Sequence, residues 1–180
     1  MGDSLQKIHL LRHFRVKDQA KGFMNAEEFL VWVEQYDNME LEYSEVVLPA
    51  KIDKVFVSSQ QRALKSAAYL AYESEVNDLL VEVEAQTFMS GKIKLPKNLW
   101  LFIDRLCWYL NVRKIEKRSD TTQRARSFIG KLKETDDVLI ISHGLFMHVL
   151  IVELKKEGFK GSVDKKIKNA TVYTLERGAR

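Results

Sequence analysis

The chain has 180 residues, 46% of them hydrophobic and 30% charged, with a formal net charge of +4. These proportions suit one folded domain with its own buried core, and no run of about 18 apolar residues is present to span a bilayer. The lone cysteine, Cys107, excludes an internal disulfide framework, fits a reducing compartment and is expected in the core.

The opening Met1-Gly2-Asp3-Ser4 lacks the basic start and apolar core of a signal peptide, so a cytoplasmic protein is expected. The basic residues are scattered, and neither a zinc-ligand set nor an RNA-binding signature accompanies them. Nucleic acid is therefore not an expected partner, and neither is a membrane.

The first strand is read at Lys7–Leu11, ending in the charged pair Arg12-His13. A loop carrying Arg15, Lys17 and Lys21 follows. Asn25, with Glu28 as its box partner, caps a helix whose apolar stripe is Phe29, Leu30, Val33 and Tyr36. A second strand, Val55-Phe56-Val57, stops at Ser58-Ser59. These serines offer an N-cap to a helix over about 60–72, with Arg62 in its first turn. Leu79–Val83 reads as a third strand, carrying Glu82 and leading to Glu84.

Residues 85–118 read as a helical insertion. From Leu99 to Leu110 this segment is apolar around much of its circumference, which predicts burial within the domain, with a lid or a homodimer face as the alternative. Asp120 with Gln123 caps the next helix. Thr135-Asp136-Asp137 turns into the strongest strand, Val138–Ile141. That strand ends in Ser142-His143-Gly144, an apolar helix follows to about Lys155, and Thr171–Leu175 closes the chain.

Alternating strands and helices predict an α/β three-layer sandwich with a mainly parallel central sheet and helices on both faces. Such sheets bind ligands at the carboxyl ends of their strands. Here those ends carry Arg12-His13, Ser58-Ser59 with Arg62 behind them, and Ser142-His143-Gly144. If the strands are neighbours, two histidines and two arginines meet beside helix N-termini, which favour anions. Arginine forks suit phosphate oxygens. A histidine in that setting can ligate a metal, act as a general base toward water, or attack phosphorus directly. The neighbouring arginines disfavour a metal, and no metal ligand set is expected. Ser58 reads as a cap or turn residue, and His9 and His148 as structural.

Leu11-Arg12-His13, Ser58-Ser59-Gln60-Gln61-Arg62-Ala63, Leu80-Val81-Glu82 and Ser142-His143-Gly144, in this order, resemble the motifs of the histidine phosphatase superfamily, the phosphoglycerate-mutase-like fold. The resemblance covers most of the chain, including Asn169-Ala170-Thr171-Val172-Tyr173. It implies that His13 is the nucleophile that becomes phosphorylated, that Arg12, Arg62 and His143 bind the phosphoryl group with help from the Gly144 N–H, and that Glu82 is the general acid, with Glu84 as the alternative. It implies no metal and no organic cofactor.

The activity so implied is metal-independent phosphomonoester hydrolysis on a small phosphorylated substrate or a phosphoprotein. A phosphomutase and a non-catalytic phosphate-binding regulatory module are the alternatives. Phe14 departs from the family's usual Gly after the Arg-His pair. It is expected to narrow the pocket mouth or stack on a substrate, and to resist a positive φ. The loop after it lacks the family's phosphate-contacting Asn, a place that Lys17 or Lys21 could fill.

Overall fold

Strand β1, Gln6–Arg12, lies inside the sheet, with Ile8, Leu10 and Leu11 fully buried on its two faces. The computed structural model describes residues 5–87, 90–133 and 136–178. Met1–Ser4 and Thr135, read above as a leader-free start and part of a turn, lie outside them. β2 is Lys54–Val57, β3 is Glu75–Val76, β4 is Val138–Ser142 and β5 is Val172–Arg177. They form one sheet in the order β3-β2-β4-β1-β5. All neighbours are parallel except β5, which runs antiparallel to β1. The expected α/β sandwich with a mostly parallel sheet is thus present.

Alternation along the strands sorts the core. Ile8 and Leu10 of β1 and Val138 and Ile140 of β4 face one layer. That layer is built by α4, Arg118–Ile129, and α5, Gly144–Lys156, with Phe128, Phe146, Met147, Leu150 and Leu154 fully buried. Leu11, Leu139 and Ile141 face the other layer, where α2, Gln61–Tyr69, packs Ala63 and Ala67. His9 lies within β1 and shares a hydrogen bond with Thr174 Oγ1 (2.9 Å), a structural placement.

A third cluster sits off the end of the sheet. Helix α1, Ala26–Tyr36, starts at the expected capping box, with Asn25 Oδ1 accepting from Glu28 N and Glu28 Oε2 from Asn25 N. Its buried face is Ala26, Phe29 and Trp32, whereas Leu30 is exposed. Phe29 stacks on Trp100 of α3, Lys97–Tyr109. Within the expected insertion, α3 buries one stripe, Trp100, Asp104 and Trp108; Leu99, Phe102, Leu106 and Tyr109 face solvent and Cys107 is half-buried.

Three local expectations are corrected. No strand forms over Leu79–Val83: Asp78–Leu80 is a single 3-10 turn, followed by an extended strap. The carbonyls of this segment are taken by side chains in place of a neighbouring strand. Arg124 donates to Leu79 O and Val81 O, Arg105 to Val83 O, Arg113 to Glu84 O and Ser142 Oγ to Leu80 O. Neither expected cap forms: α2 begins at Gln61 with Gln60, not Ser58 or Ser59, at its N-cap, and α4 has Lys117 at its N-cap, to whose N–H Asp120 bonds back from inside the first turn.

Phe14 is the third correction. It is 1% exposed and packs with Val16 and Leu41 and edge-on to Tyr43 and Tyr69, away from any position where it could stack on a substrate. It is not among the positive-φ residues, so no conflict with a Cβ arises. Its backbone N–H donates to Ser66 Oγ (3.0 Å). Phe14→Ala should therefore act as a core truncation and lower unfolding free energy by about 3–5 kcal/mol in a urea titration; a loss below about 1 kcal/mol would contradict this packing.

Candidate active site

β1 and β4 end in register, with Arg12 opposite Ser142, and His13 N donates to Ser142 O (3.0 Å). This pairing sets His13 and His143 side by side, their ring centroids 5.1 Å apart. His13 is 2% exposed and His143 fully buried. His13 Nδ1 lies 2.6 Å from the Phe14 carbonyl. A carbonyl only accepts, so Nδ1 carries the proton and Nε2 keeps its lone pair. Burial, then the Arg62 and Arg12 charges, hold the His13 pKa down at about 3 against the opposing Phe14 hydrogen bond. His13 is a neutral, oriented imidazole with a free ring nitrogen.

His143 is also held neutral, its pKa well below the usual value through burial first and the Arg62 charge next. Its Nε2 lies 2.8 Å from Ser58 Oγ. That hydroxyl accepts from Gln60 N (3.3 Å) and is fully buried, and His143 Nε2 is the acceptor its own proton meets among the described residues. The proton of the neutral ring then resides on Nδ1, an atom buried without a partner. Ser58 is therefore more than the expected turn residue.

The two arginines are anchored from behind. Arg12 Nη1 donates to Ile167 O (2.8 Å). Arg62 Nη1 donates to Asp37 Oδ1 (2.7 Å) and Nη2 to Gln60 Oε1 (3.1 Å). Both Nε groups are buried without a partner. Gly144 opens α5 beneath Arg12: a Cβ there would come within 3.1 Å of the Arg12 Cζ, close enough that the guanidinium would have to shift by a few tenths of an ångström. Asn169 Nδ2 donates to His13 O (2.8 Å), and Ala170 N to Arg12 O (3.0 Å), so β5 fastens the same corner.

Glu82 sits on the strap with its carboxylate at the start of α5, accepting from Leu145 N (3.1 Å) and Phe146 N (3.0 Å). Its own N–H donates to Gln60 Oε1 (2.9 Å). Glu84 is exposed, and Arg113 holds its backbone. Lys17 pairs with Glu40 and Lys21 is exposed; neither lines the cavity over His13. That cavity, of about 870 Å³, is lined by Arg12, His13, Arg62, Glu82 and Asp37, and by an apolar wall of Leu30, Trp32, Val33 and Leu101.

The structure thus gathers Arg12, His13, Arg62, Glu82, His143 and Gly144 at one corner and sends Phe14 elsewhere. Sequence reasoning missed Asp37 and Gln60. Asp37 did carry a signal, an acid at the C-terminus of a helix, where the dipole disfavours it. Gln60, one polar residue among several before α2, carried none.

Two neutral imidazoles and two guanidiniums at the carboxyl ends of parallel strands make a site suited to a phosphoryl group. The model of the histidine phosphatase superfamily (branch 1) matches residues 42–180. The chain belongs to that superfamily. The match begins after β1, and the strand pairing described above supplies Arg12 and His13 to the matched part.

Solved structures agree in fold. They include an open-reading-frame product of Mycobacterium tuberculosis (15% identity, TM-score 0.56, covering 97% of this chain and 96% of that one). A mycobacterial glucosyl-3-phosphoglycerate phosphatase is similar at 15% identity and TM-score 0.55, covering 96% and 90%. A putative α-ribazole-5'-P phosphatase from Escherichia coli is similar at 14% identity and TM-score 0.51, covering 94% and 89%. No curated protein sequence matches the chain.

The His13 environment makes stability depend on pH. An unfolded imidazole titrates near 6.5, whereas in the fold His13 stays unprotonated down to about 3. As pH falls below 6.5 the unfolded chain binds a proton that the folded chain refuses, so stability is full above 6.5 and declines toward 3. From pH 7 to 5 His13 alone should lower unfolding free energy by about 2 kcal/mol. His13→Asn, compared with wild type in urea at both pH values, should show a decline smaller by that amount; equal declines would contradict the buried neutral ring.

Proposed function

We propose that the protein hydrolyses phosphomonoesters without a metal ion, through a phosphohistidine on His13. The observation that carries this reading is the set of unsatisfied donors around the neutral ring: Arg12 Nε, Arg62 Nε and His143 Nδ1 are all buried and unpartnered. Buried polar atoms are ordinarily satisfied, and a group left without a partner calls for a reason, a catalytic role among them. A phosphoryl group has the acceptor oxygens this set lacks.

In the first step His13 Nε2 attacks phosphorus, the bond from phosphorus to the ester oxygen breaks, and Glu82 protonates the leaving alcohol. Arg12, Arg62 and His143 hold the non-bridging oxygens as charge shifts among them. The Gly144 N–H, at the head of α5, adds a helix terminus to the same side. In the second step the Glu82 carboxylate takes a proton from water, the resulting hydroxyl attacks phosphorus, and His13 leaves as the free imidazole with inorganic phosphate as product. The cavity falls in the size range of small-molecule sites, and its apolar wall suits the leaving group of a small phosphorylated metabolite.

Turnover of an aryl phosphate in excess EDTA should be present in wild type and abolished in His13→Ala; near-normal turnover in that variant would refute the mechanism. Arg62→Ala should lose on the order of a hundredfold in kcat, and a loss under about threefold would make Arg62 structural. With a nitrophenyl ester, whose leaving group needs no proton, Glu82→Gln should accumulate a phosphohistidine on His13 detectable after alkaline quench. Rapid transfer of that group to water in wild type separates hydrolysis from a mutase, which would return it to a second hydroxyl.

A further inference from the structure

The phosphate corner contains an anion of its own. Asp37 is the C-cap of α1, and its carboxylate reaches across to α2. Oδ1 accepts from Arg62 Nη1 (2.7 Å) and Arg62 N (3.3 Å), and Oδ2 from Gln61 N (2.9 Å). It lines the cavity beside Arg12, His13 and Glu82. The location is unfavourable for α1, whose C-terminal dipole repels an acid, and favourable for α2, whose N-terminus attracts one. α2 has no side-chain cap of its own, so Asp37 takes that role from a different helix.

Two consequences follow from the geometry. Asp37 and Gln60 grip the two Nη groups of Arg62, and the Tyr36 ring lies 5.5 Å from its Cζ, which leaves the buried Nε as the unpartnered edge. An arginine side chain is otherwise rich in rotamers, and fixing it in advance removes that entropy from the bound state. The second consequence concerns charge. With both histidines neutral, the cavity lining sets Arg12, Arg62 and Arg105 against the carboxylates of Asp37, Glu34, Glu84 and Glu116, so its cationic charge is offset before any ligand arrives. A phosphate dianion must share Arg62 with a carboxylate already in contact with it.

We propose that Asp37 is a positioning residue that holds Arg62 ready for the phosphoryl group and, by its charge, limits the site's affinity for the inorganic phosphate produced. The proposal rests on the phosphatase reading above and adds a residue to it. Orientation favours the chemical step, and the opposing charge favours release of the product.

The two roles separate in Asp37→Asn and Asp37→Ala. The amide oxygen can still accept from Arg62 or Gln61, so Asp37→Asn keeps much of the orientation and loses the charge; alanine loses both. The measurements are kcat and KM for an aryl phosphate and the affinity for inorganic phosphate, by competitive inhibition and by calorimetry. Asp37→Asn should bind inorganic phosphate on the order of tenfold more tightly than wild type, with the larger effect at low salt. Asp37→Ala should lose at least tenfold in kcat, with Asp37→Asn restoring most of that loss.

A purely structural Asp37 would weaken phosphate binding and kcat together in both variants, and that outcome overturns the proposal. Phosphate affinity of Asp37→Asn within twofold of wild type overturns the charge role. Wild-type kcat in Asp37→Ala overturns the positioning role. Should the alanine variant fail to fold, the asparagine variant's phosphate affinity still decides the charge role and its kcat the positioning role, a loss beyond tenfold counting against it. Wild type that binds phosphate with no gain in Asp37→Asn sinks this proposal alone. Wild type that neither binds phosphate nor turns over an ester sinks the phosphatase reading with it.

Discussion

The hydrogen bond from His13 Nδ1 to the Phe14 carbonyl is the constraint on which the site depends. It decides which ring nitrogen is free and which way that nitrogen faces. A carbonyl one residue away is a poor anchor if the backbone around it is loose, and here Phe14 is held on both sides, with Arg15 after it paired to Glu42. The Phe14 N–H is bound by Ser66 Oγ, Ser66 in turn bonds to Arg62 O, and the Phe14 ring packs edge-on against the stacked pair Tyr43 and Tyr69. A bulky residue therefore does by packing what an unburied residue at this place would leave undone. The aromatic cluster lies outside the cavity, yet it holds the acceptor that orients His13.

The remaining groups are placed by two further devices. Parallel pairing of β1 with β4 puts the histidines at matching heights, because consecutive parallel strands end at the same edge. Gln60 then joins the two halves of the site through one oxygen, which accepts from Arg62 Nη2 and from the Glu82 N–H. A shift in the Arg62 guanidinium is thereby felt at Glu82.

Much of this was readable from the chain. The strands β1, β2 and β4 are short apolar runs that stop at polar residues, a pattern only a buried strand end explains, and the capping box at Asn25 and Glu28 formed as written. Arg12, His13, Arg62 and His143 stood at those ends. The unreadable parts are those fixed by long-range side-chain contacts. Leu79–Val83 has the composition of a strand, but its backbone partners are arginines from α3, α4 and the segment between them, and no local pattern announces that. Phe14 beside two active residues looked like a pocket residue. Its direction was set by Tyr43 and Tyr69, remote in sequence from each other and from it.

The arginine attachments of the strap also bear on how this architecture can diversify. In a sheet, moving one strand disturbs its neighbours' ladders. Glu82 is borne on a segment that no ladder holds, and Arg105 and Arg113, which fasten its carbonyls, belong to the same region that walls the outer cavity. Exchange of that region for another would change the room available in the cavity and the seat of the Glu82 carboxyl in a single event, while the strand ends that carry the histidines stayed as they are. The shape of the pocket and the placing of Glu82 are in this fold one inherited unit.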